Sequence, residues 1–435
     1  MIPVKRSAAE PQAAKNTPSD AFSEAAERHG VRKNKVKYIA AEVLNCFTYL
    51  FVGGALWQGL LLYIGCTADK IGTLSGIGYA TQTLSMGLGL ILCDRLKKPI
   101  RAMALCDLPI SLFFFSILFF LCVGSAEEQI VFPILAGLVI VYYAAFGFKT
   151  ILAYKIPYLI IHMEDYGKLL GRSGFVSNLF VIAVSVGLPG FLSLAGYLTG
   201  MRLMYAVCAL FALAVSLLDF RLKALWNAEN QASVSVRALF SERNVLRLAP
   251  ANFLRGLSSG VIISLTVMAS KLFCLDSVGL SLLVSLTSLG SVVGNFIYSF
   301  AGKASKLSRL CLSASLVMLV LGSASVLVGS WRSFTVLFVV IQIAYVIVNG
   351  TIPVLFARLI PYSIAGGCTA LRMMETMLGT AISSWFTGLV LENFDGRLTA
   401  FLLMLAAGAA QTICGLFYYR FCRAADRQEA HAVRC

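Results

Sequence analysis

CDRLKKPIRAM, Cys93 to Met103, is a charged knot between two apolar runs. Ile71 to Leu92 before it carries no charge, and after it a single acid, Asp107, precedes Glu127. A helix needs about 20 apolar residues to cross the hydrocarbon layer, because its backbone polar groups must be satisfied within the segment. Two such helices joined by a wet, basic turn make a membrane hairpin, and the same alternation continues along the chain from about Tyr38 to Phe421.

Composition agrees with a polytopic membrane protein. The 435 residues are 58% hydrophobic and only 13% charged, whereas a soluble domain carries about 25% charged residues. The net charge of +15 does not indicate nucleic acid, because the basic residues sit in short segments between apolar runs. The 12 cysteines form no CxxC pair, so neither a metal site nor a disulfide framework is expected. His29, His162 and His431 lie in hydrophilic segments or at a span edge, which leaves no intramembrane histidine relay.

Spans are predicted at roughly 38–64, 72–92, 100–123, 130–152, 174–197 and 202–222, then at 249–272, 278–300, 310–329, 334–356, 368–391 and 398–421. The expected organisation is a disordered cytoplasmic tail at 1–37, a six-helix bundle at 38–222, a cytoplasmic linker at 223–248, a second six-helix bundle at 249–421 and a cytoplasmic tail at 422–435. Residues 1–37 lack the apolar core of a signal peptide. With the N-terminus inside, the outer loops hold only Lys70, Arg202, Lys271, Arg332 and Arg397. The inner segments hold clusters such as Arg95, Lys97, Lys98 and Arg101, or Lys303, Lys306 and Arg309. This is the positive-inside pattern, and it places both termini in the cytoplasm of a cell whose plasma (inner) membrane holds the protein.

The halves repeat. Asn45, Asp69, Gly72 and Gly87 fall on Asn252, Asp276, Gly279 and Gly294 at one shared shift, and Gly167 and Arg172 fall on Gly367 and Arg372 at another. A duplicated bundle of this kind builds transporters with the site between halves. The layout resembles the major facilitator superfamily over nearly the whole membrane part. That family's motif after the second span is Gly-x-x-x-Asp-Arg-x-Gly-Arg/Lys; here LILCDRLKKP supplies Asp94, Arg95 and Lys98, but has Leu90 and Lys97 where the glycines belong. The resemblance implies twelve transmembrane helices in two bundles, rocker-switch alternating access, and a cytoplasmic latch built from Asp94, Arg95, Lys98, Arg172 and Arg372. The physical logic of such a latch is a carboxylate at the N-terminus of the eleventh helix, worth about 0.3–1 kcal/mol.

Ionisable residues within spans are candidates for function by default. Glu375, Arg255 and Lys149 are the candidates for ion coupling or a charged cavity, against snorkelling for the two bases and an inner-gate pairing with Arg372 or Arg358 for Glu375. Glu42 and Asp107 lie nearer span ends. The family's cavity-lining spans carry Asn45, Gln58, Tyr142, Tyr143, Asn252, Gln342, Tyr345 and Asn349, a set suited to a neutral, sugar-like solute or equally to interhelical hydrogen bonding. The expected function is secondary transport of a small polar organic solute, probe-able as proton- or sodium-coupled, by a monomer in the lipid bilayer without cofactor or metal. Drug or metabolite efflux by an antiporter of the same superfamily is the alternative, on a partial Gly-Pro echo at Gly187, Pro189 and Gly190. A membrane enzyme or receptor is the reading from another class; no HExxH and no Walker sequence supports it.

Overall fold

A computed structural model describes residues 18–123, 128–160, 163–224, 241–275, 277–299, 304–360, 365–394 and 396–432. Among these the chain is helical throughout and forms no strand. Span 1 comprises two helices, Pro18–Leu50 and Ala55–Tyr63. Spans 2 to 6 are Ala68–Leu92, Pro99–Val123, Glu128–Lys155, Met163–Ala195 and Tyr197–Phe220. Span 7 is again double, Arg243–Ile263 and Leu265–Phe273, and spans 8 to 12 are Ser277–Ser299, Ala304–Ser325, Trp331–Arg358, Ala365–Asn393 and Arg397–Ala432.

Eight of these are long and apolar enough to cross a membrane by length and composition, namely spans 3, 4, 5, 6, 7, 9, 10 and 12. Span 2 packs along span 11, and span 8 packs on span 5 and on the second piece of span 1, so the two halves meet along these helices. Within the halves, span 3 packs on span 6 and span 9 on span 12.

The breaks in spans 1 and 7 were not expected from the continuous apolar runs. In span 1 the helix stops at Leu50 and restarts after Gly54, whose backbone is extended. The Gly53–Gly54 pair supplies the weak point, and the carbonyl of Phe51 that the break exposes accepts a hydrogen bond from the Tyr205 hydroxyl at 2.8 Å. Span 7 breaks at Ser264, whose hydroxyl bonds the Gly260 carbonyl at 2.9 Å. Interrupted helices are tolerated at membrane depth when side chains re-satisfy the backbone in this way.

The segment expected as a disordered tail is corrected from residue 18 onward, because span 1's helix begins at Pro18. Val31, Asn34 and Tyr38, spaced for one helix face, are buried. The Asn34 amide donates to the carbonyls of Ile160 and Lys223 and accepts from the Lys223 N–H, fastening span 1 to the ends of spans 4 and 6. Lys37 donates to the Arg221 carbonyl, and burial, then Lys223, Lys33 and Arg221, push its ammonium below the ordinary lysine pKa. The linker is likewise shorter than expected: span 7's helix starts at Arg243, capped by the Glu242 carboxylate. Beyond residue 421, span 12 continues as helix to Ala432, and its Asp426 pairs with Arg358 at 2.9 Å. Residues 225–240 of the linker, and Asp276 of the repeat, lie outside the described residues.

Candidate functional site

Three polar groupings occupy the middle of the molecule. The first lies inside the N-terminal half. Lys149 of span 4 forms an ion pair with Asp107 of span 3, lies 3.9 Å from Asp219 of span 6, and donates to the Asn45 amide oxygen of span 1 at 3.2 Å. All three charged groups are buried. Lys149 does not snorkel, because the carboxylates compensating its charge are at hand inside the bundle. Asp219 was not singled out from sequence; its place near the end of an apolar run, in SLLDFR, makes it look like a boundary residue.

The second grouping lies in the C-terminal half. The Asn252 amide donates to Glu375 at 2.7 Å and accepts from the Tyr418 hydroxyl of span 12 at 2.6 Å. Asn252 therefore joins spans 7, 11 and 12. The repeat-related asparagines Asn45 and Asn252 thus each serve a charged side chain of their own half. Asn252 is wholly buried, and Gln58, Gln342, Tyr142 and Tyr143 are buried as well. Tyr142 packs against Phe113, Phe114 and Phe146, and Tyr143 against Tyr79 and Gly78. All five of these expected cavity residues are buried in this structure.

The third grouping faces open space. Tyr49 of span 1 is 42% exposed although it lies at mid-depth, stacked on Phe146. Its phenol is within electrostatic reach of Tyr345 of span 10 and of Tyr79 and Tyr143 of its own half. Half-buried Tyr345 and Asn349 lie one helical turn apart on span 10, and Asn349 accepts from Arg255 Nε at 3.1 Å and Nη2 at 2.7 Å. Tyr49 from one half and Tyr345, Asn349 and half-buried Arg255 from the other are thus partly open polar groups within the spans. Tyr49 was missed from sequence, though it lies one turn beyond Asn45.

Of the residues expected to form a latch, Arg95, Lys98 and Arg172 are exposed, and Asp94's side chain lies outside the described set. Arg372 is buried, its guanidinium 5.6 Å from the ring centre of Phe356 in its own half. A carboxylate does sit on a helix N-terminus across the halves, but at the face away from the termini. There the Glu392 carboxylate, at the end of span 11, accepts from the Ala68 N–H that opens span 2 at 3.1 Å and pairs with Lys271 at 3.1 Å. The Thr67 hydroxyl bonds Asp69 and does not cap its helix, leaving that N–H to Glu392. Just below, spans 2 and 11 touch backbone to backbone: a Cβ on Gly72 would stand 2.7 Å from the Gly388 Cα.

Two six-span halves, joined along spans 2 and 11 and spans 5 and 8, define a multi-pass membrane protein with the major facilitator fold. Solved structures share it. A nucleoside transporter, NupG, in a mutant form superposes with a TM-score of 0.66 at 11% identity, covering 89% of this chain and 99% of that one. A D-xylose–proton symporter gives 0.66 at 15% identity over 89% and 97%. A bacterial homologue of the human lysosomal transporter Spinster, in an inward-facing and occupied conformation, gives 0.61 at 13% identity over 94% and 98%. No family model matches the sequence, and no curated protein matches it.

Proposed function

We propose that this protein is a secondary transporter that carries a small polar organic solute through the central cavity by alternating access. The observation that carries the reading is the combination of partly open polar side chains from both halves, with Tyr49 keeping 42% of its surface exposed, and a cross-half clasp at the far face made by Glu392. A cavity shared by two halves, and shut at one end by contacts of modest strength, is what a rocking mechanism requires. The similar folds include proton symporters for D-xylose and, from E. coli, for fucose, which supports symport driven by a proton or sodium gradient. The basic segments support cytoplasmic termini, and the membrane in this reading is the plasma membrane. It would work as a monomer, since each chain holds both halves of its cavity.

Purified protein in proteoliposomes tests this directly. Radiolabelled solutes, including pentoses, hexoses, nucleosides and organic acids, are offered with and without imposed proton and sodium gradients. Saturable uptake that accelerates in trans-loaded vesicles is expected for at least one class. Absence of flux for every class, from protein that still binds a solute, would remove the transport reading.

A further inference from the structure

Each half of the protein holds one base within its spans, and the two bases are neutralised differently. Lys149 has Asp107 as an ion-pair partner and Asp219 at 3.9 Å. Arg255 has only the neutral Asn349 amide, and among the described residues no carboxylate lies within salt-bridge distance of it. The acid of that half, Glu375, is engaged by Asn252 and faces Arg372. A lone cation at this depth is costly unless an anion or water compensates it, and Arg255 is half-buried, so an anion can reach it from the cavity.

The hydrogen bonds also say which edge of the guanidinium is free. Nε and Nη2 both donate to the one Asn349 oxygen, which fixes the plane of the group and occupies its side edge. Guanidinium has five N–H donors in a rigid fork, so three remain, and two of them point in parallel from the Nη1–Nη2 end. Parallel donors at that spacing match the two oxygens of a carboxylate. Tyr345 stands one turn from Asn349 along span 10 and is within electrostatic reach of Tyr49 of the other half, and these phenols can donate to hydroxyls on the rest of a ligand.

We propose that Arg255, oriented by Asn349, is the anion anchor of the cavity and that the transported solute is a small carboxylate. This rests on the reading of the cavity as the transport site. It narrows the solute from polar molecules in general to organic acids, with the hydroxylated acids best suited to the phenols.

The test uses full-length protein in detergent and follows its melting temperature with gluconate, glucuronate, succinate and benzoate, each beside its uncharged counterpart sorbitol, glucose, succinamide or benzamide. At least one carboxylate should stabilise the wild type more than its counterpart does, since a ligand for the native state raises the melting temperature. Arg255→Gln should weaken that binding by about 10- to 100-fold, the loss expected for charge-assisted hydrogen bonds. Asn349→Asp provides a check that does not depend on Arg255→Gln folding well. It supplies the missing internal carboxylate, so it should melt at or above the wild-type temperature yet lose the carboxylate response. The proposal is overturned if no carboxylate stabilises the wild type, if the neutral counterparts bind as well, or if both variants keep the response. The two readings fail separately in vesicles. Flux of a neutral solute unaffected by Arg255→Gln removes the anchor and leaves the transporter, whereas Arg255-dependent binding without flux leaves the anchor and removes the transporter.

Discussion

The clasp at the far face gives the most quantitative expectation. Glu392→Gln keeps an oxygen that can accept from the Ala68 N–H but removes the charge that attracts both the helix N-terminus and Lys271. The side chains of Lys271 and Glu392 are 34% and 35% exposed, so their pairing belongs to the weak, screened kind, roughly 0.2–1 kcal/mol. The charge at the start of span 2 adds about 0.3–1 kcal/mol. Lys271 and Glu392 both belong to the C-terminal half, so their pairing survives when the halves part, and the substitution should shift the balance toward the far-side-open form by about 0.3–1 kcal/mol, or roughly 2- to 5-fold in the equilibrium constant. Ser384 reports the opening: it is wholly buried, and its carbonyl lies 2.7 Å from where a Gly72 Cβ would stand. With Cys66, Cys122 and Cys274 replaced by serine, Ser384→Cys is labelled with a membrane-impermeant maleimide, and the rate is compared with and without Glu392→Gln. Faster labelling by a factor in that range is expected. An unchanged or slower rate in Glu392→Gln would refute the clasp.

Asp107→Asn should destabilise the protein by about 1.5–3 kcal/mol, because it removes the closer of the two carboxylates that answer the buried Lys149 charge and leaves only Asp219 at 3.9 Å; the melting temperature should recover in part when Lys149→Met is added. Gly256→Ala would place its Cβ 2.1 Å from the Thr376 carbonyl and should cost about 1–3 kcal/mol or more by overpacking spans 7 and 11, read as a lower melting temperature. Asn252→Ala should lower stability by more than the roughly 0.6 kcal/mol of an average interhelical bond, since it releases both Glu375 and Tyr418. Tyr418→Phe, which breaks one of those contacts, should cost less in the same denaturation assay.

The membrane hairpins and the duplication were legible because hydrocarbon imposes its requirement on each helix separately. Span lengths and the punctuating basic segments, such as Arg95 to Arg101, follow from that one-dimensional constraint. Helix breaks were less legible. Gly53–Gly54 could have suggested one, but the interruption also needs the Tyr205 hydroxyl to receive the Phe51 carbonyl, and a partner 154 positions away leaves no local signal. The amphipathic lead-in at Val31, Asn34 and Tyr38 was hidden in a polar segment, where a short buried face is masked by its charged neighbours.

Site residues divide in the same way. Composition identifies which few side chains could carry chemistry: Lys149, Arg255 and Glu375 stand out because charge is rare in these spans. It does not say which neighbour satisfies each. Asn45 and Asn252 occupy the same place in the repeat, yet one accepts from a lysine and the other donates to a glutamate. Helical periodicity fixes only the direction of a side chain relative to its own helix. The sequence by itself determined the class, the spans and the duplication. Only the tertiary structure decided that the charge of Lys149 is answered within its bundle, that Arg255 is met by the neutral Asn349, and that Glu392 ties the halves together. Those outcomes depend on how helices distant in sequence rotate against one another, and electrostatic energy at short range turns on that geometry.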